Sequence, residues 1–186
     1  MRRLSAHTSC SRTRSTSVRR EAIRHLASEG LLTLVPHRGA FVPDASPEDV
    51  KALFELRTAL ECAAAELAAS RRTDVDLVRL QEVCAESRRN YKAGQPFPYR
   101  LDLAFHQALL GAARSPYIAE QVRLVQQRVV LLRSSLDDDP PHQHASLDDH
   151  DELVRAIADG NAAKASTVMR RHLSRVCAQM LTSLTH

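Results

Sequence analysis

Leu101–Leu110 reads LDLAFHQALL. Its apolar residues recur at helical spacing, and Asp102 and His106 stand one turn apart on the same face. The pattern is that of a helix built to be buried, yet it carries a carboxylate and an imidazole. Buried ionisable groups are costly unless they are paired or bind a metal. Two readings follow. Asp102 orients His106 by a hydrogen bond, or the two are half of a metal site completed elsewhere in the chain.

Working outward, the same 3.6-residue period recurs on both sides. Ser46 is a good N-cap, Pro47 suits the first helical position, and Glu48 and Asp49 suit the first turn. They open a helix from 46 to about 70, broken at Arg71-Arg72-Thr73. Further helices are predicted over 74–93, about 99–113, 116 to about 136, about 147–158 and 162 to about 183. Ser146 with Asp149 resembles a capping box for the fifth, and Asn161 caps the sixth. The fold class is all-α, with a six-helix domain over 46–184. Ahead of it, STSVRREAIRHLASE (15–29) is amphipathic and Gly30 is a stop. Two apolar runs, 31–35 and 40–42, flank Pro36-His37-Arg38-Gly39 and predict a β-hairpin. Residues 15–43 form one small module, and residues 1–14 read as a disordered basic tail.

Composition agrees. Hydrophobic residues make up 44% of the 186, enough for a real core, while aromatics are 4% and glycines number 5. No apolar run approaches ~18 residues, so no membrane span is expected. The basic N-terminus leads into no apolar core of a secretory signal. The four cysteines, Cys10, Cys62, Cys84 and Cys177, are scattered, as in a reduced, cytoplasmic protein. The net charge of +4 conceals an asymmetry: residues 1–42 hold 8 Arg against 2 Glu, and the remainder is slightly acidic. A basic N-terminal module points to a polyanion, most often nucleic acid.

Partners for Asp102 and His106 must come from the nine histidines. His7 and His186 are terminal, His25 lies on the basic helix, and His37 at the hairpin tip. His150 sits at the start of the fifth helix. His172 lies in VMRRHLSRV with an apolar flank of Val168, Met169, Leu173 and Val176, so its ring is expected to face inward. Three imidazoles and a carboxylate from facing helices suit Zn²⁺, Ni²⁺, Mn²⁺ or Fe²⁺. His142 and His144 are a rival pair in a Pro- and Asp-rich loop, a poor scaffold.

These blocks resemble a known family. STSVRREAIRHLASEGLLTLVPHRGAFV resembles the end of the winged helix-turn-helix of GntR-type bacterial transcription regulators. FELRTALECAAAELAA, DLAFHQALL, SPYI and DHDELVRAIADGNAAKASTVMRRHL resemble the helical FCD effector domain of its FadR branch. The resemblance implies a recognition helix and a hairpin wing, with Arg20 and Arg24 contacting DNA and Arg19 and Arg38 as further candidates. It implies a divalent metal held by Asp102, His106, His150 and His172. It places Arg57 near the pocket for a small organic-acid effector, and it implies a cytoplasmic homodimer acting on double-stranded DNA, with repression the common case.

One departure bears on this. A winged helix-turn-helix needs helices ahead of its recognition helix, and MRRLSAHTSCSRTRS does not have their apolar period. The expectation is a partial, truncated DNA-binding module. Three functions therefore compete: a ligand-responsive transcription regulator, a metal- and metabolite-binding dimer that has lost DNA binding, and a metal hydrolase or isomerase. No Glu or Tyr stands beside the four ligands in sequence to serve as acid or base, so the enzyme reading ranks last.

Overall fold

The computed structural model describes residues 2–3, 14–43, 46–92, 99–133 and 143–184. In chain order the elements are β1 (Arg2–Arg3), α1 (Arg14–Ser28), β2 (Thr33–Val35), β3 (Gly39–Val42), α2 (Pro47–Arg71), α3 (Asp74–Lys92), α4 (Tyr99–Ala113), α5 (Pro116–Arg133), α6 (Gln143–Ala158) and α7 (Ala162–Leu184).

Helix ends form where local chemistry satisfies the free backbone groups. At the start of α2 the Ser46 hydroxyl accepts from the Asp49 N–H at 3.1 Å, and the Asp49 carboxylate accepts from the Ser46 N–H at 2.9 Å. This reciprocal pair is a capping box. Asn161 Oδ1 accepts from the Lys164 N–H at 3.0 Å and caps α7. Gly30 (φ 72°) and Gly160 (φ 68°) end α1 and α6. After each, the next residue's N–H reaches back five positions, Leu31 to Leu26 O and Asn161 to Ala156 O, both at 2.9 Å. This closure needs a left-handed residue, which glycine adopts without a Cβ penalty.

The expected hairpin is present: β2 pairs antiparallel with β3, Leu34 opposite Ala40. The expectation of a structureless tail over 1–14 is corrected at Arg2–Arg3. These two residues form β1 and pair with β3, Arg2 opposite Val42 and Arg3 opposite Phe41, making a sheet of order β1-β3-β2. The outer edge of β3 has free N–H and C=O groups, and a short segment satisfies them whatever its side chains. Residues 4–13 lie outside the described residues.

A second correction concerns the fifth predicted helix, α6. It begins at Gln143, so Ser146 lies inside it and is no N-cap. Asp149 turns instead to α7, as described below.

The core of the bundle is built around α2, which packs along α7 and α4 and also touches α5 and α6. Its buried positions include Val50, Phe54, Cys62, Ala64, Ala65, Ala68 and Ala69. The alanines let the neighbouring helices approach closely. α3 covers α4 and α6, and α6 lies against α7. Phe105, Leu109, Leu153, Ile157, Met169 and Leu173 fill the space between them, each 1% exposed or less. No helix among the described residues is long and apolar enough to cross a membrane.

Candidate metal centre

Asp102 lies in the first turn of α4, where the helix N-terminus favours a carboxylate. His106 follows one turn later on the same face. His150 comes from α6 and His172 from the middle of α7. The packing of α4, α6 and α7 brings one ligand atom from each of the four within 4.8 Å of the others. Asp102 is 8% exposed and the three imidazoles 1–2%. Asp102 Oδ2 lies 3.9 Å from His106 Nε2 and Oδ1 3.6 Å from His150 Nε2. The His150 and His172 ring centroids are 4.8 Å apart, and those of His106 and His172 5.4 Å.

These distances remove one of the two readings of the opening stretch. A direct Asp102–His106 hydrogen bond does not form at 3.9 Å. His150 Nε2 and His172 Nε2 are buried without a hydrogen-bond partner. Orphaned buried imidazole nitrogens facing a carboxylate are the donor set of a transition-metal site, so the residues fit the implied metal. Burial is the largest cause and pushes the His150 and His172 pKa values below their ordinary value, against the opposing pull of Asp102 and Asp149. Their nitrogens therefore keep the lone pairs that a metal needs.

Around the four lies a supporting shell, of which the sequence reading gave only Arg57 a role near the site. Glu61 of α2 is fully buried, and its Oε2 sits directly against His106 Nδ1. Burial alone would raise the Glu61 pKa, but Arg57 and His106 outweigh it and bring it to about 2. Arg57 is 2% exposed; its Nε donates to Glu61 Oε1 at 2.6 Å, and its Nη2 lies 3.2 Å from His106 Nε2. Asp149 is 3.7 Å from His172 Nδ1 through Oδ2. It accepts from Arg171 at 2.9 and 2.6 Å and from Arg175 at 2.5 Å. Phe105 stacks on the His150 ring at 3.8 Å, with 11° between planes. Carboxylates behind ligating histidines fix tautomer and ring orientation. A signal for the Arg57–Glu61 pair did exist: both continue the Val50–Phe54 stripe at i+3 and i+4 spacing, where a solvated ion pair would not be expected.

Arg57 is thus at the cluster. Arg19, Arg20 and Arg24 are exposed on α1, and Arg38 is exposed at the hairpin tip. Val18 of α1 is 70% exposed and Leu26 37%. The end of α1 is tied to the bundle by Arg128 of α5, whose Nη2 donates to Glu29 O at 3.2 Å. A cleft of about 520 Å³ lies at that junction, between Leu31 and Val42 on one side and Leu53 and Leu132 on the other. It is separate from the buried cluster. His142 lies outside the described residues, and so does the side chain of His144.

Comparison with known proteins gives a consistent picture. A family profile described as the FCD domain matches residues 52–175. The HTH-type transcriptional regulator LutR of Bacillus subtilis is 28% identical, over 87% of this chain and 83% of its own. The galactonate operon transcriptional repressor of Escherichia coli is 27% identical, over 83% of this chain and 76% of its own. Among solved structures, Escherichia coli McbR/YncC superposes with a TM-score of 0.81 at 19% identity, covering 88% of this chain and 83% of that one. That likeness is one of fold. A GntR-type putative regulator from Rhodococcus superposes with a TM-score of 0.72 at 26% identity, covering 90% of this chain and 80% of that one.

Proposed function

The chain belongs to the FCD-domain family of GntR-type transcription regulators, and on that premise we propose that it is a cytoplasmic, homodimeric repressor whose helical domain holds a divalent metal and a small organic-acid effector. The observation that carries the proposal is the buried cluster of Asp102, His106, His150 and His172, with its partnerless imidazole nitrogens. A metal bound there supplies a Lewis-acidic position for an anionic ligand.

The chain's own residues do the rest. Glu61 keeps the proton of His106 on Nδ1, so that Nε2 faces the cluster. Asp149 lies behind His172, with its Oδ2 3.7 Å from the ring's Nδ1. Arg57 presents a guanidinium beside the ligands, where a carboxylate can meet it in a two-pronged contact. The family and its relatives are regulators rather than enzymes. The Glu61 carboxylate sits behind the His106 ring, away from the nitrogen that faces the cluster.

For DNA, Arg20 and Arg24 of α1 are the proposed base and phosphate contacts, with Arg19 and Arg38 on the backbone. The names of relatives such as the galactonate operon repressor support repression. Allostery requires that the effector bind two DNA-module geometries differently. The Arg128–Glu29 contact is a physical link through which the bundle can bias α1.

The test is selection of bound DNA from a random pool by the zinc-loaded protein at physiological salt. Enrichment of a palindromic site supports the reading. Absence of enrichment from protein shown to hold zinc refutes DNA recognition by this chain and leaves a metal-binding, metabolite-binding dimer.

A further inference from the structure

Arg57 Nη2 and His106 Nε2 are 3.2 Å apart in a fully buried setting. A guanidinium has donors only, so this contact requires a lone pair on Nε2. Glu61 against Nδ1 demands the same tautomer, with the proton on Nδ1. That lone pair is also the one that faces Asp102, His150 and His172. One lone pair cannot serve a metal at ~2.0–2.1 Å and a guanidinium N–H together.

Charge points the same way. With neutral imidazoles, Arg57, Glu61 and Asp102 leave the inner cluster with one net negative charge, and a divalent cation turns this into one net positive charge. Asp149 does not enter the count, because Arg171 and Arg175 engage it from α7. A buried net charge is stable only when matched.

Resting on the metal reading above, we propose that Arg57 and the metal are alternative partners of His106 Nε2. Metal binding displaces Arg57 Nη2 while Nε stays on Glu61, and the released end of the fork together with the metal then selects a singly charged anion such as a monocarboxylate. Metal and effector are thereby coupled. The anion meets a free guanidinium only after the metal has taken the histidine, and by linkage the anion tightens the metal in turn.

The test is zinc titration of the wild type and of Arg57→Lys, by competition with a chromophoric chelator. A lysine ammonium ends near where arginine carries Cζ, one bond beyond Nε and one bond short of Nη2, so it keeps the charge beside Glu61 and falls short of His106. The expected result is zinc binding roughly tenfold or more tighter in Arg57→Lys, the size of one charge-assisted hydrogen bond. Acetate is expected to bind the zinc-loaded variant more weakly than the zinc-loaded wild type. A wild type that takes up no zinc overturns the metal reading and this inference together. A wild type that binds zinc, with a variant that binds it no more tightly, overturns the inference alone. A crystal structure of the zinc-loaded wild type does not depend on the variant folding. It supports the proposal if Arg57 Nη2 has left His106 Nε2, and overturns it if zinc sits in the cluster with that contact intact.

Discussion

Glu61→Gln tests the physical account of the site most directly. Glu61 is 0% exposed, receives Arg57 Nε at 2.6 Å and touches His106 Nδ1. Glutamine preserves its volume and removes its charge. Arg57, 2% exposed, is then a buried cation without its nearest counter-charge. Breaking a buried pair from one side costs ~3–5 kcal/mol. Asp102 also attracts Arg57, which places the expected loss at the lower end, about 3 kcal/mol. In a chain of this size that is a fall in Tm of roughly 6–12 °C. The assay is thermal and urea unfolding with a chelator present, so that metal affinity does not enter. The double variant Arg57→Met/Glu61→Leu should recover most of the loss, because replacing both members of a buried pair with apolar groups is often neutral. Separately, zinc affinity of Glu61→Gln should fall about 10–100-fold, as for other residues that orient a metal ligand. If Glu61→Gln unfolds within about 1 kcal/mol of the wild type and binds zinc equally well, the assignment of Glu61 as the residue that anchors Arg57 and orients His106 is wrong.

Other outcomes follow from the same geometry. Burial raises the Glu61 pKa, but Arg57 and His106 take it from 4.5 down to about 2. Its folded pKa thus lies below its unfolded one, so its contribution is fully present above about pH 4.5 and is lost as pH falls toward 2. A wild-type minus Glu61→Gln stability profile should slope across that window and be flat above it. Replacing His172 with Ala should abolish stoichiometric zinc uptake, measured by elemental analysis of folded protein. Uptake equal to the wild type would remove His172 from the ligand set. Ser46→Ala removes a reciprocal cap on the central helix and should destabilise by about 1 kcal/mol. An unchanged urea midpoint would contradict that. Finally, Arg24→Ala should weaken binding to a selected DNA site. If Arg24 holds a phosphate, the log–log salt slope should drop by about one. If it reads a base, the loss should be concentrated at one operator position.

Much of this protein is determined by contacts a few residues apart, and such contacts are legible in a sequence. Ser46-Pro47-Glu48-Asp49 starts a helix wherever it sits, because cap and backbone are neighbours along the chain. Gly30 and Gly160 end helices because only their own φ has to be left-handed. The hairpin follows from two apolar runs and a glycine turn. Even the burial of Asp102 and His106 follows from their place in an apolar helical stripe. Helix placement narrowed the partners of that pair to His150 and His172, with His142 and His144 as rivals, and the resemblance implied the former.

What tertiary structure alone decided is which side chains meet. Glu61 and His106 are distant in sequence and touch only because α2 packs along α4. Arg57 and Glu61 lie on the Val50–Phe54 stripe, but what they meet there is set only when α4, α6 and α7 close over them. Asp149, a plausible partner for a Ser146 cap, is claimed by Arg171 and Arg175 because α6 lies against α7. β1 forms because the edge of β3 offers free backbone groups, a fact invisible in the residues MRR themselves. Helical periodicity records which face of an element is buried. It carries no record of what is buried against that face, because that depends on the packing of distant segments, and the supporting shell of the site resides there.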